Sequence, residues 1–271
     1  MASLACLRSG AGLVTAAVPK SILDTVTRIA PELMMVPLAE GTKGAVSFKN
    51  LDGAKLDALV TKISVVAVGP GLSTEGDAPA FARQIVEKTM VPVVIDADAL
   101  NAFEGKTDLL NGEGRVMVLT PHPGEMARLA GMTVKEVEAD RVGLARRFAT
   151  KHKLTLVLKG WRTLIAHPDG SIAVNTSGNP AMAKGGSGDI LTGIVAAMLA
   201  QFPGDVGSRG GGGGLSAWAG GGLCGACDGR AYCTCNRYGY TSFGCVSLSA
   251  DGCGWAGLDL RVAGSLILDV R

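Results

Sequence analysis

The chain has 271 residues, enough for one α/β domain or two small ones with a core that needs neither disulfide nor metal. Its 26 basic and 24 acidic residues leave a formal net charge of +2 without any basic run, which argues against nucleic acid as a partner. Apolar residues make up 47% of the chain, yet no apolar stretch reaches the ~18–20 residues that span a bilayer, and residues 1–12 lack the parts of a signal peptide, so no membrane role and a cytoplasmic location are expected.

From residue 13 to about 200, short β-branched runs alternate with helical patterns. Leu13–Val18 reads as a strand and Ser21–Ile29 as a helix. Val65–Val68 is the next strand, followed by a helix over Pro79–Lys88 and strands over Val91–Ile95 and Val116–Leu119. A long helix is predicted over Val134–His152, because Thr133 and Glu136 form a capping-box pair before it. Val134, Val137, Leu144, Ala145 and Phe148 give that helix an apolar stripe. Thr155–Leu158 is a further strand, and the apolar run Ile190–Phe202 reads as a buried helix. The strands are near-continuous apolar runs, as expected where helices cover both faces of a largely parallel sheet. Ligands bind such sheets at the carboxyl ends of the strands.

Those ends carry the unusual residues. Val68 runs into GPGL (69–72), Ile95 into DADALN (96–101), Leu119 into TPHPGE (120–125), and Leu158 into Lys159-Gly160. Any one of them could be an ordinary turn, but four together point to one crevice. Asp96 and Asp98 read either as a carboxylate pair on one face of an extended segment or as caps of a following helix. His122 stands between two prolines with no second histidine at zinc-ligand spacing, so a metal site there is not expected.

The sharpest signal is GGSGD over residues 185–189, which opens the Ile190–Phe202 helix. A glycine loop entering a helix leaves backbone N–H groups unpaired at the positive end of the dipole, and these suit a phosphate. A carboxylate beside them, Asp189, can take a proton from a hydroxyl nucleophile. The bland alternative is a glycine-rich turn with Asp189 merely near a helix start. The general phosphate-loop motifs are absent from the sequence.

The segments GPGLS, VIDADALN, LTPHPGEMARLAG, LKGWRT and NPAMAKGGSGDILTG, in that order, resemble those of the ADP/ATP-dependent NAD(P)H-hydrate dehydratases, over about residues 4–206. The glycine segment alone would indicate only the wider ribokinase-like superfamily; TPHPGE with K-G-x-x-T narrows it. The resemblance implies a ribokinase-like three-layer α/β/α fold with a largely parallel sheet. It implies a hydro-lyase that restores NADH and NADPH from their hydrates, NADHX and NADPHX. The C6 hydroxyl is phosphorylated from ADP or ATP with Mg²⁺, and phosphate is then eliminated. By position it makes Asp189 the base and a substrate contact, and Gly186, Ser187 and Gly188 the anion hole. Lys159, Gly160, Trp161, Arg162 and Thr163, with Gly188, would bind the nucleotide, and Gly71 and His122 the hydrated dinucleotide. It also implies a homo-oligomer and a functional pairing with an NAD(P)H-hydrate epimerase. The competing functions are a small-alcohol kinase of the same superfamily and an inactive remnant.

Two features depart from the pattern. The resemblance implies a further strand and an alanine-rich turn before Met1, so the fold is expected to be incomplete there. After residue 206 the resemblance ends, and 207–271 is expected to be a separate Gly/Cys-rich tail holding six of the seven cysteines. Five glycines, 210–214, replace an expected helix at about 1 kcal/mol each relative to alanine. Glycine codons read one base later give alanine, and Ala217-Trp218-Ala219 then gives His-Gly, so a shifted reading frame is the expectation for this tail. A zinc module fits less well, because the cysteine spacing shows no two separated C-x2-C pairs. A disulfide framework would need an oxidising compartment.

Overall fold

Strand residues alternate between two apolar layers, and this alternation organises the domain. The structure, a computed structural model, describes residues 1–41, 44–61, 63–203 and 268–270. Val66, Val68, Val93, Ile95, Met117, Leu119, Leu156 and Leu158 enter one core cluster, while Val65, Ala67, Val94, Val118 and Val157 enter the other. Successive side chains of a strand point to opposite faces, so an uninterrupted apolar run is what a sheet buried on both sides requires.

The elements in order are α1 (Ala2–Arg8), β1 (Val14–Pro19), α2 (Leu23–Ile29), β2 (Met34–Leu38), α3 (Gly53–Val60), β3 (Val66–Val68), α4 (Ala78–Lys88), β4 (Val93–Ile95) and α5 (Ala97–Asn101). They continue with β5 (Met117–Leu119), α6 (Pro123–Ala130), α7 (Val134–Ala139), α8 (Arg141–His152), β6 (Thr155–Leu158), β7 (Leu164–Ala166), β8 (Ile172–Val174), α9 (Ser187–Gln201) and β9 (Leu268–Val270). Strands β3-β4-β5-β6 pair in parallel, and β7 and β8 extend that sheet antiparallel. A second group has the order β2-β1-β9, with β1 parallel to β2 and antiparallel to β9. Strand β9 also lies beside β3 and α9.

Phe81, Ala82 and Ile85 of α4, Met126 of α6, and Ala145 and Phe148 of α8 fill the first cluster. Cys6 of α1 and Val195, Ala196 and Leu199 of α9 fill the second. Helix α9 packs on α1 at close range, because a Cβ at Gly193 would strike the Ala2 carbonyl oxygen. Burial pushes the Cys6 thiol up to about 12, so it is an inert core group.

All five strands predicted from the sequence form, four of them with ends moved by one or two residues. The long helix over Val134–His152 does not form as one piece. It breaks at Asp140, whose Oδ1 accepts from Gly143 N–H at 3.0 Å and starts a second helix. Val134, placed in the apolar stripe, is 48% exposed, whereas Val137, Leu144, Ala145 and Phe148 are buried. The Thr133–Glu136 capping box is present.

Strands β2, β7, β8 and β9 were not anticipated. Pro37 disguises β2, which tolerates a proline at the rim of its sheet. The β7–β8 hairpin turns at Asp169-Gly170, where Asp169 Oδ1 accepts from Ser171 N–H at 2.9 Å. Residues 207–267, with the expected domain boundary, the shifted-frame, zinc and disulfide readings and all six clustered cysteines, lie outside the described residues.

Candidate active site

Four strand ends are laced together just beyond the sheet. Asp96 N–H donates to Val68 O at 3.1 Å, Thr120 N–H to Ile95 O at 3.2 Å, and Lys159 N–H to Pro121 O at 2.8 Å. This brings Gly69, Asp96, Thr120-Pro121 and Lys159 side by side along one edge, at the crevice expected from the sequence. Gly69 must be glycine: its φ is +130°, and a Cβ there would run into the Asp96 carbonyl oxygen.

Helix α9 brings GGSGD to that edge. Gly186 occupies the left-handed region at φ +84° and turns the chain into the helix, with Ser187, Gly188 and Asp189 in the first turn. Ile190 N–H closes onto Gly186 O at 3.0 Å, while the N–H groups of Gly188 and Asp189 have no acceptor among the described residues. Open N–H groups at the start of a 15-residue helix form a region of positive potential. A Cβ at Gly188 would sit 3.4 Å from Lys159 Nζ and 3.8 Å from Asp96 Oδ2, so the glycine backbone lies directly over this pair.

Beneath the glycines is a charged cluster. Lys159 Nζ donates to Asp96 Oδ1 at 2.9 Å and lies 3.7 Å from Glu125 Oε2. Asp96 Oδ2 accepts from Thr192 Oγ1 at 2.6 Å. Asp96 is 1% exposed, and Thr192 is fully buried. The Asp189 carboxyl is held above its ordinary value, first by burial and then by the Asp96 charge, with Lys159 opposing. Asp98 also faces it and adds to the rise. A half-buried carboxyl with a raised proton affinity at a crevice has the character of a proton acceptor.

The remaining candidates surround this centre. His122 is the N-cap of α6. Its Nδ1 accepts from Gly124 and Glu125 N–H at 3.0 and 3.3 Å, which leaves the ring proton on Nε2, 3.4 Å from Glu125 Oε1. Glu125 Oε2 accepts in return from His122 N–H at 2.8 Å. The ring is exposed, and its fixed orientation presents one edge to solvent. Gly71 is exposed in the turn after β3, closed by Leu72 N–H to Gly69 O at 3.0 Å. In the loop after β6, Trp161 is 79% exposed with the Arg162 guanidinium 4.3 Å over its ring. Thr163 Oγ1 donates to Gly160 O at 3.1 Å. Arg141, at the start of α8, donates to Trp161 O at 2.9 Å and to Lys159 O at 3.4 Å.

Asp189, Gly188 and Lys159 are therefore brought together, with His122 joined through Glu125. The loop 160–163 and Gly71 border the same edge. The reading of Asp96 as a side-chain cap is corrected, whereas Asp96 and Asp98 do both face Asp189. Asp96 makes no side-chain cap to α5, and the two carboxylates have separate partners, Asp98 accepting from Ser73 N–H at 2.8 Å. Glu125, Thr192 and Arg141 were not singled out. Only the strand-end position of Asp96 signalled the cluster, since its partners lie 63 and 96 residues away.

A family model described as NAD(P)H-hydrate dehydratase matches residues 1–209, more than three quarters of the chain. The chain belongs to the NAD(P)H-hydrate dehydratase family. It is 44% identical over 201 residues to a bifunctional NAD(P)H-hydrate repair enzyme of Moorella thermoacetica, covering 74% of this chain and 38% of that protein. The chain thus spans less than two fifths of the length of the bifunctional relatives it matches. A crystal structure of the ADP/ATP-dependent NAD(P)H-hydrate dehydratase of Bacillus subtilis, co-crystallised with ATP/Mg²⁺, aligns with a TM-score of 0.57 at 29% identity, over 73% of this chain and 66% of that one. A ribokinase-like superfamily protein of Enterococcus faecalis V583 aligns with a TM-score of 0.61 at 30% identity, over 74% and 65%. The fold of this family member is accordingly ribokinase-like, with helices on both sides of a mostly parallel sheet. Among the described residues no helix is long and apolar enough to cross a membrane.

Proposed function

We propose that this chain restores NADH and NADPH from their C6 hydrates in a nucleotide-dependent dehydration, and that Asp189 is the base. The observation that carries this reading is the placement of the Asp189 carboxyl in the first turn of α9, beside the open N–H groups and above Lys159. Asp189 takes the proton of the C6 hydroxyl, and the freed oxygen attacks the terminal phosphorus of ADP or ATP, releasing the shortened nucleotide. Gly186, Ser187 and Gly188 surround the transferred group, whose growing negative charge the open N–H groups at the start of α9 stabilise. Phosphate then leaves C6 while a proton leaves the neighbouring carbon, and the double bond re-forms.

Lys159, Gly160, Trp161, Arg162 and Thr163 hold the nucleotide, with Trp161 and Arg162 offering an exposed ring and cation. Gly71 and His122 contact the hydrated dinucleotide. Mg²⁺ accompanying a nucleotide needs only one or two protein carboxylates, and Glu125, whose Oε2 lies 3.7 Å from Lys159 Nζ, offers one at this edge. We assign Glu125 to the ion, which, when bound, would neutralise phosphate charge.

Residues 1–206 would form this catalytic domain, a division that the family match, ending at 209, supports, while the last described strand of 207–271, β9, adds to the domain's sheet beside β1. The bifunctional name of the Moorella relative supports pairing with an NAD(P)H-hydrate epimerase. We also propose a homo-oligomer acting in the cytoplasm. The test supplies hydrated NADH with ADP or ATP and Mg²⁺. Return of the reduced-nicotinamide absorbance with one inorganic phosphate per turnover is expected. Accumulation of a stable phosphorylated alcohol would overturn the dehydratase reading in favour of a kinase.

A further inference from the structure

Asp96 uses both carboxylate oxygens on partners from different elements, Lys159 at the end of β6 and Thr192 in α9. Thr192 lies three residues after Asp189, on the same side of the helix. Its single hydroxyl proton goes to Asp96 at 2.6 Å rather than to Gly188 O at 3.3 Å, since the shorter bond ends on a charge. Residue 96 itself stands at the end of β4, so one buried carboxylate ties β4, β6 and α9 together at the site. A buried ion pair is a poor source of stability compared with apolar packing. Its usefulness here lies in geometry.

We propose that Asp96 is the positioning residue of this site: through Lys159 and Thr192 it fixes the spacing between the phosphate-facing ammonium and the Asp189 carboxylate. The proposal rests on the dehydratase reading for its kinetic consequences, but not for its structural ones. Without Asp96, Lys159 would turn toward Glu125, and the first turn of α9 would lose its anchor to the sheet. The groups that face Asp189 are Asp96 and Asp98 from the end of β4 and α5, Lys159 from β6, and the amino group of Met1 from α1. Removing the Asp96 charge therefore also makes Asp189 easier to ionise.

The experiment compares Asp96→Asn, Thr192→Val and Thr192→Ser in the full chain. Asp96→Asn is expected to lower kcat by roughly 10²-fold, the cost of a misplacement near 1 Å, with a smaller change in nucleotide KM. It should also move the acid limb of the kcat/KM profile to lower pH. Thr192→Val should lower kcat without moving that limb, and Thr192→Ser should recover most of the rate. Asp96→Asn with kcat within about twofold and an unmoved acid limb would overturn the proposal. A second readout needs no turnover. Amide exchange at Ile190–Ile194 of the nucleotide-free protein should quicken by at least about tenfold in Asp96→Asn and Thr192→Val but not in Asp189→Asn. Unchanged exchange overturns the positioning role. Quickened exchange in a chain that fails to dehydrate hydrated NADH would sustain the role and reject only the dehydratase reading.

Discussion

Arg141 Nη1 donates to the carbonyl oxygen of Trp161 across 2.9 Å, and Nη2 reaches the carbonyls of Leu158 and Lys159 at 3.5 and 3.4 Å. One guanidinium on α8 thus gathers three backbone carbonyls of the 158–161 segment, and a Cβ at Gly160 would sit 3.0 Å from its Nη2. The shape of that loop is set from outside it, by a planar fork that an ammonium cannot copy.

Arg141→Lys and Arg141→Ala should each weaken nucleotide binding by roughly tenfold, the loss of one or two charge-assisted hydrogen bonds. Titration calorimetry with ADP or ATP and Mg²⁺ would read this directly. Affinity equal to that of the parent would show that the loop holds its shape unaided.

Asp189→Asn should act in opposite directions on rate and stability. Loss of a positioned base should cost at least ~10²-fold in dehydration. The raised proton affinity of Asp189 means that the folded chain holds its proton up to higher pH than the unfolded chain, whose carboxyl titrates near its ordinary value of 3.8. Folded stability therefore falls as pH rises through the interval between the two. At neutral pH the wild-type fold carries that penalty in full, and asparagine removes it. Thermal unfolding at pH 7 should show Asp189→Asn to be the more stable, with the advantage vanishing below pH 3.8, where aspartate is protonated in both states. A mutant less stable at pH 7 would contradict the burial argument.

The parallel core was legible because both faces of the sheet are covered, and Val66 to Val68 or Leu156 to Leu158 are apolar throughout. The crevice was legible for the same reason, since glycine, proline and aspartate interrupt those runs at one end. What stayed hidden depends on contacts between distant residues. Asp140 ends α7 and begins α8 through its bond to Gly143, a choice that helical periodicity alone did not signal. The pairing of Asp96 with Lys159 and Thr192 spans three elements, and no local pattern distinguishes it from a helix cap. The capping role of His122 was hidden differently, because a histidine Nδ1 does here what serine or aspartate ordinarily does.

Gly193→Ala should destabilise the fold although alanine is the better helix former. The added methyl would strike the Ala2 carbonyl oxygen and lie 2.9 Å from Cys6 N, both backbone atoms of α1 that cannot swing aside. Overpacking of this kind costs about 1–3 kcal/mol, more than the ~1 kcal/mol gained from helix propensity. A thermal midpoint lowered by several degrees is expected, and an unchanged or higher one would show that α1 and α9 separate freely.

Gly188→Ala poses the reverse case and isolates what the glycine is for. Gly188 lies inside the first turn of α9 with a right-handed backbone, and a methyl there would meet Lys159 Nζ at 3.4 Å and Asp96 Oδ2 at 3.8 Å, ordinary contacts. Nothing in the fold forbids alanine, and helix propensity favours it by about 1 kcal/mol. The methyl would nevertheless crowd the space beside the open N–H groups and the Lys159 ammonium, where the proposed anion hole would receive the transferred phosphoryl group. Gly188→Ala should therefore unfold at a slightly higher temperature than the parent and lose dehydration rate by at least about tenfold, as expected when donors of an anion hole are obstructed. Nucleotide binding through the 159–163 loop should survive, so the loss should appear in kcat more than in nucleotide affinity. Full activity in the alanine variant would mean that the phosphoryl group is held elsewhere, and the anion hole would have to be sought away from the start of α9.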